Sequence, residues 1–324
     1  MIWRNSLRKI NFFHSFAASL ALWTEEARRI PIGGQAVIEG VLMKGRARWA
    51  LSVRKPDGSL HRESWLKSSR AERRPWKFPL LRGMVIMVEM MATGFKALNR
   101  SAEIALEETQ EKITLKDLLL IIATAFVAVA GLFIALPLWL SDLSQSFFGL
   151  LPFWRNLLEG LIRGGIFVGY VAVIGIWEDI RQVFRYHGAE HKTINAFEEG
   201  LEMTPEKIAG CSRIHPRCGT SFLLIAVIVS IFIFSFLGGG GFLRRLSLRL
   251  ITLPLVIGLS YEIIRAASRS GAWGKTLISP ALSLQYLTTR EPDASQIEVA
   301  LESLKLALGT DDETPSPAPT PMGA

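Results

Sequence analysis

The apolar positions of this chain follow two rhythms. In the first quarter Trp49, Leu51 and Val53 alternate with polar neighbours, and Val37, Ile38, Val41 and Leu42 suit a strand. Gly33-Gly34 break the chain ahead of them, and Pro56-Asp57-Gly58 is a turn signal. The pattern predicts strands near 35–43, 48–55 and 59–66 in a water-exposed, β-rich unit over 31–75, with too many Arg and Lys for lipid. Beyond it the rhythm turns helical. Residues 79–106 predict a helix whose first part, 84–95, is apolar except for Glu89, too short and too charged for a span. That suits an interfacial or bundle-packed helix, followed by a polar one exposing Glu103, Glu107, Glu108 and Glu111; together they fill 76–116.

Four stretches then reach the length of a bilayer crossing. Residues 118–141 carry no charge, and Pro137 sits near the far end, where a kink is tolerated. Residues 157–177 hold Glu159 and Arg163, spaced to pair at i,i+4 near the interface. The stretch between Arg217 and Arg244 is uncharged, and 246–264 is interrupted by Pro254. The expected fold class is therefore mainly α: a polytopic helical membrane protein with about four transmembrane helices and a small β-rich cytosolic N-terminal unit. The membrane domain runs over 117–266 and encloses a polar loop, 178–219.

The ends are read separately. In 1–30, Trp3, Leu7, Ile10, Ala17 and Ala21 share a helical stripe beside Arg4, Arg8 and Lys9, as in an amphipathic helix on a membrane surface. A signal peptide is the other reading, weakened by Asn11, His14 and Ser15. Over 267–308, a loose turn at 268–274 precedes a capping box, Ser295-x-x-Glu298. Ile297, Leu301, Leu304 and Leu308 then line one face of a short helix that should dock on a partner or on the cytosolic unit. From 309 on, prolines and acids predict a disordered tail.

Charge orients this scheme. Net charge is +8 and mean hydropathy +0.29. Basic residues flank apolar runs, and no zinc-finger, helix-turn-helix or RNA-binding signature accompanies them, so the expected partner is the lipid bilayer and not nucleic acid. Of the 37 Lys and Arg, 21 precede the first span; 142–156 holds only Arg155, and 178–219 holds six. The positive-inside rule then places both termini and the 178–219 loop in the cytosol of a multi-pass plasma-membrane protein. Arg244, Arg245 and Arg249 run against it, and are read as snorkelling from a short outer turn. The basic-aromatic patch Arg73, Arg74, Trp76 and Lys77 reads as an interfacial anchor.

Both cysteines and three of the five histidines fall within 187–218. On the cytosolic side thiols stay reduced, which favours metal or redox chemistry over a disulfide. His187 and His191, four apart, share a helix face, and Glu190 points nearly the same way. H-x-x-E-H is the pattern of inverted zinc peptidases, in which the Glu is the general base. Gly188 inside it weakens a helix by about 1 kcal/mol relative to Ala. Cys211, His215 and Cys218 have spacings suited to loop ligation. The candidate metal ligands are therefore His187, His191, Cys211, His215 and Cys218, one more than a tetrahedral ion uses, with Glu190 as catalytic base. The donors suit zinc, with iron also compatible. The plain alternative is interfacial histidines and small buried cysteines. Glu178, Asp179 and Glu262 could converge on the loop. Glu262 is the outside candidate for a ligand, and an ion pair with Arg265 is its competing role. Gly33–Gly40 lacks any phosphate-loop or dinucleotide pattern and predicts a turn of close backbone approach.

The segments Gly33-Gly-Gln-Ala-Val-Ile-Glu-Gly40, His187-Gly-Ala-Glu-His-Lys192, His215-Pro-Arg-Cys-Gly-Thr-Ser-Phe222, Tyr261-Glu-Ile-Ile-Arg265 and Thr288-Thr-Arg-Glu-Pro-Asp293 together resemble the YqhQ-like family of bacterial multi-pass membrane proteins. The resemblance spans about 32–308. It implies an integral membrane protein of unknown function, in a family labelled a predicted metal-dependent enzyme on these same His, Glu and Cys residues.

The resulting expectation is a metal-dependent hydrolase at the cytosolic membrane surface, acting on a peptide or amide bond. Its rival is a non-enzymatic scaffold or assembly factor stapled by a structural zinc. A transporter is disfavoured because spans one and three carry no buried charge. A protein partner or substrate, and a homo-oligomer, remain open.

Overall fold

Alternation and turn residues build the first layer. In the computed structural model, which describes residues 32–66, 78–106, 115–216, 218–237, 240–267, 270, 276 and 279–309, strands β1 (Gly33–Val37), β2 (Gly40–Lys44), β3 (Arg48–Arg54) and β4 (Leu60–Leu66) form an antiparallel meander in sequence order. Leu42 pairs with Leu51 and Trp49 with Trp65. The run expected as one strand over 35–43 is two, because the chain reverses at Ile38-Glu39 with Glu39 at φ 48°. This hairpin carries no Asn-Gly signal, so the turn was not legible. It is fixed from outside instead: the Glu39 carbonyl accepts from Arg54 N–H, and its carboxylate accepts from the Tyr186 hydroxyl at 3.0 Å.

Both faces of the sheet are covered. Val37, Leu42, Trp49, Leu51, Val53 and Trp65 pack on Ala97, Ile104 and Ala105 of helix α1 (Leu81–Leu106). Burying each large side chain contributes about 1.5–3 kcal/mol. The opposite face meets α5 (Glu178–Glu198) and α10 (Ala294–Leu308), where the Ser303 hydroxyl donates to the carbonyls of Val41 and Ala50. Two-sided burial explains why Val41-Leu42-Met43 is continuously apolar. The docking expected of the last helix is therefore intramolecular. Its capping box lies two residues earlier than expected: Asp293 caps the Gln296 N–H and Gln296 returns to the Asp293 N–H. Glu298 instead pairs with Arg54 of β3 at 2.6 Å.

Four helices are long and apolar enough to cross a membrane. The first joins α2 (Leu115–Ala130), a π-helical turn (Gly131–Ala135) and α3 (Leu136–Phe148); then come α4 (Pro152–Ile174), α7 (Gly219–Phe236) and α8 (Phe242–Ala267). Proline explains the π turn. Pro137 has no N–H for the carbonyl of Phe133 four residues back, and Arg163 Nε fills that place at 2.8 Å. The first span extends past 141 through Asp142, into a stretch expected to be a loop. The short connection 149–151 and the described residues 237, 240 and 241 lie at one end of the bundle. The sheet, α5, the short helix α6 (Pro205–Ala209), α9 (Gln285–Thr288) and α10 lie at the other. Arg245 and Arg249 do not snorkel: both are buried. Residues 1–31, the 73–77 patch, Glu107, Glu108, Glu111, the 268–274 turn except Ser270, and the tail from 310 lie outside the described residues.

Candidate metal centre

Three residues separate the end of α4 from the start of α5, so α5 starts just past the second apolar helix. Its Glu178 and Asp179 suit the positive end of the helix dipole. Asn195 Nδ2 donates to the carbonyls of Ser212 and Ile214, and Lys192 Nζ to that of Ala209. These bonds lay the 209–218 loop along α5. Gln285 grips the loop from α9: it accepts from His215 N–H at 2.8 Å and donates to the His215 carbonyl at 2.7 Å. Cys218 then becomes the N-cap of α7, its sulfur accepting from Thr220 N–H. It therefore stands where the third span begins.

Three of the expected donors meet. One ligand atom each from His187, His191 and Cys218 lie within 4.8 Å of one another. The hydrogen bonds fix both imidazoles. His187 Nδ1 lies 2.8 Å from the Thr288 carbonyl, and His191 Nδ1 2.6 Å from the Arg213 carbonyl. A carbonyl only accepts, so each Nδ1 carries the proton and each Nε2 presents a lone pair. His187 Nε2 is 3.1 Å from Cys218 Sγ. A thiol has one proton and can satisfy one of the two lone pairs. His191 Nε2, on a side chain 1% exposed, has no hydrogen-bond partner. Burial holds His191 below the ordinary histidine range, with His187 adding to the effect and Cys218 opposing it. The donor set thus fits a soft or borderline cation: two imidazoles oriented by backbone carbonyls, and a sulfur.

Glu190 stands beside them. Its Oε2 is 3.9 Å from His187 Nε2, is buried, and has no hydrogen-bond partner. Burial raises its pKa, opposed by His187, His215 and the Gly34 N–H. The glycine is required: a Cβ at Gly34 would stand 2.6 Å from the Leu42 carbonyl and 2.9 Å from Glu190 Oε1. The close approach expected around Gly33–Gly40 is thus made by β1 over the carboxyl group, within a strand and not at a chain break. Gly188 is required too, since a Cβ there would collide with the Arg290 carbonyl. The helix-weakening glycine of the H-x-x-E-H motif lets the 288–293 segment reach the site.

The other expected residues stand apart from this group. His215 is buried behind it, its ring 5.8 Å from that of His191 and its Nε2 3.5 Å from Glu198. Burial lowers its pKa and Glu190 opposes. Cys211 ends the turn after α6, its thiol toward the Lys207 carbonyl at 3.5 Å. Burial and then Glu199 raise its pKa. Glu262 binds Arg82 of α1 through both oxygens, and Glu178 pairs with Arg181 and Arg185 of its own helix. Sequence reasoning missed Thr288, Gln285 and the Arg213 carbonyl. Two of these act through the main chain, which side-chain identity does not reveal.

A family model described as "Protein of unknown function (DUF1385)" matches residues 78–310. The chain belongs to this family. It is also 33% identical over 308 residues to "Uncharacterized protein YqhQ" of Bacillus subtilis (strain 168), covering 88% of this chain and 96% of that protein. No solved structure matches. Segments that carried the resemblance now have places: the 33–40, 187–192, 215–222 and 288–293 motifs meet at this centre. The 261–265 motif instead ties α8 to α1 through Glu262.

Proposed function

We propose that this protein is a metal-dependent hydrolase working at the cytosolic face of the plasma membrane on a peptide or amide bond. The observation that carries the reading is the convergence, among the described residues, of three donors and not four, beside a buried carboxyl group whose Oε2 has no hydrogen-bond partner. Structural zinc sites usually close four protein ligands, whereas catalytic ones keep a position open. His187, His191 and Cys218 would hold the ion, zinc by donor type, with iron the next fit. A divalent cation there supplies Lewis acidity, polarising a carbonyl and making water more acidic. Glu190 would take the proton of the attacking water and return it to the leaving amine. Thr288 and Arg213 would hold the imidazoles in the ligating tautomer, and Gln285 would hold the loop. The cytosolic placement rests on the positive-inside count, which is strengthened because Arg245 and Arg249 are buried in ion pairs and no longer count as loop charge.

One observation favours a structural zinc instead: His191 is 1% exposed and Cys218 8%, so the ion would staple α5, the loop and α7 out of reach of water. Glu190→Gln separates the two. Purified full-length protein in liposomes is offered a fluorescence-quenched peptide library, and its metal content is measured in parallel. A hydrolase loses at least about a hundredfold in rate while keeping its ion. Equal cleavage by the variant, or no cleavage by metal-loaded wild type, contradicts the proposal.

A further inference from the structure

The opposite end of the bundle carries a second polar centre. Glu159 of α4 accepts from Arg163 at 2.6 Å, from Arg245 at 2.8 Å and from Arg249 at 2.7 and 3.1 Å. Arg245 also binds Asp142 and Ser141 of α3, and Arg249 binds Asn156. Arg163 donates to Ser230 of α7. All four spans thus contribute: Asp142 brings a charge into the first, and the uncharged third faces buried charge.

The charges do not balance. Among the described residues, Arg155, Arg163, Arg245 and Arg249 face only Glu159 and Asp142, an excess of two positive charges. Arg245, Arg249 and Glu159 are at most 1% exposed, so water does not screen the excess. Nor are the donors used up: Arg155 Nε, Arg245 Nε and Arg249 Nη1 are buried without a hydrogen-bond partner. Buried ion pairs hold only when charge and hydrogen bonds are both satisfied, and intramembrane arginines usually have a partner. Arg155 and Arg245 are each the fourth residue of their helices, so they sit about 5 Å from its end. In a helix that crosses a bilayer, its end lies near the phospholipid headgroups. Asp142 and Arg155, with side chains 32% and 13% exposed, form the edge open to the surroundings.

We infer that this cluster binds a phosphate group. A phosphate oxyanion accepts from several guanidinium N–H donors at once and supplies the missing negative charge. Its source is either an anionic phospholipid headgroup or free phosphate, and the test separates them.

Full-length protein in a neutral detergent is followed by thermal unfolding while phosphatidylglycerol, phosphatidylcholine or inorganic phosphate is added. The expected result is a rise of about 5 °C at saturation with phosphatidylglycerol or phosphate, and none with phosphatidylcholine. A rise with phosphatidylglycerol alone assigns a headgroup; a rise with phosphate assigns a free oxyanion. Arg249→Gln should abolish the rise. If that variant does not fold, Arg155→Gln serves, since its nearest carboxylate is 3.9 Å away, and it should weaken the apparent affinity about tenfold. Cys211→Ser, at the other end of the bundle and outside the metal group, should leave the rise unchanged. No rise with either anion, or a full rise in Arg155→Gln, overturns the inference.

Discussion

The two polar centres of this helical protein are incomplete in opposite senses. At one end of the bundle, lone pairs outnumber protons: two imidazole nitrogens and a sulfur face each other, and one nitrogen has nothing to accept from. At the other end, guanidinium N–H donors outnumber carboxylates. A cation completes the first and an anion the second. The comparison teaches that unsatisfied buried groups carry a sign, and the sign names the chemistry that would satisfy them. The supports differ as well. The first centre is oriented by backbone carbonyls and close-packed glycines, the second by side chains reaching between spans.

The largest expected effect lies in the second centre. Glu159→Leu removes the carboxylate shared by three arginines and should cost about 3–5 kcal/mol, read as loss of folded protein in detergent-solubilised membranes. An unchanged unfolding midpoint would mean that the arginines do not depend on Glu159. Next comes Cys218→Ser, which should reduce bound metal from one ion per chain to a trace, while Cys211→Ser should retain it. Retention in the first variant and loss in the second would move the centre to the other cysteine. Gly188→Ala is smaller. Its added methyl meets the Arg290 carbonyl, and overpacking of that kind costs about 1–3 kcal/mol. Since Ala favours helices, a stabilised variant would show that the close approach is absent. Smallest is Asp293→Ala at the α10 cap, about 1 kcal/mol by thermal unfolding, with no change in metal content.

The two centres also differ in how far the sequence revealed them. His187, Glu190 and His191 sit within one helical turn and a half, and Cys218 lies close in the chain, so residue type and spacing placed them in the candidate set, together with Cys211 and His215. Cys211 and His215 share that spacing, and only the course of the loop separates them from Cys218. The arginine cluster was illegible because its partners are 86 to 104 residues apart. Read locally, Glu159 and Arg163 looked like an interfacial pair, and Arg245 and Arg249 like residues reaching for water. Spans one and three were plain from uncharged apolar length; the second, with Glu159 and Arg163, and the fourth, with Pro254, were less so. The β1–β2 turn was not, since Ile38-Glu39 takes its shape from Arg54 and Tyr186, not from its own residues.

The most direct test of the central claim is metal analysis with X-ray absorption on full-length protein purified without chelators. The account predicts about one first-row ion per chain, bound by two nitrogens and one sulfur from the protein. A well-folded, metal-free preparation, or an ion bound by two sulfurs, would contradict it.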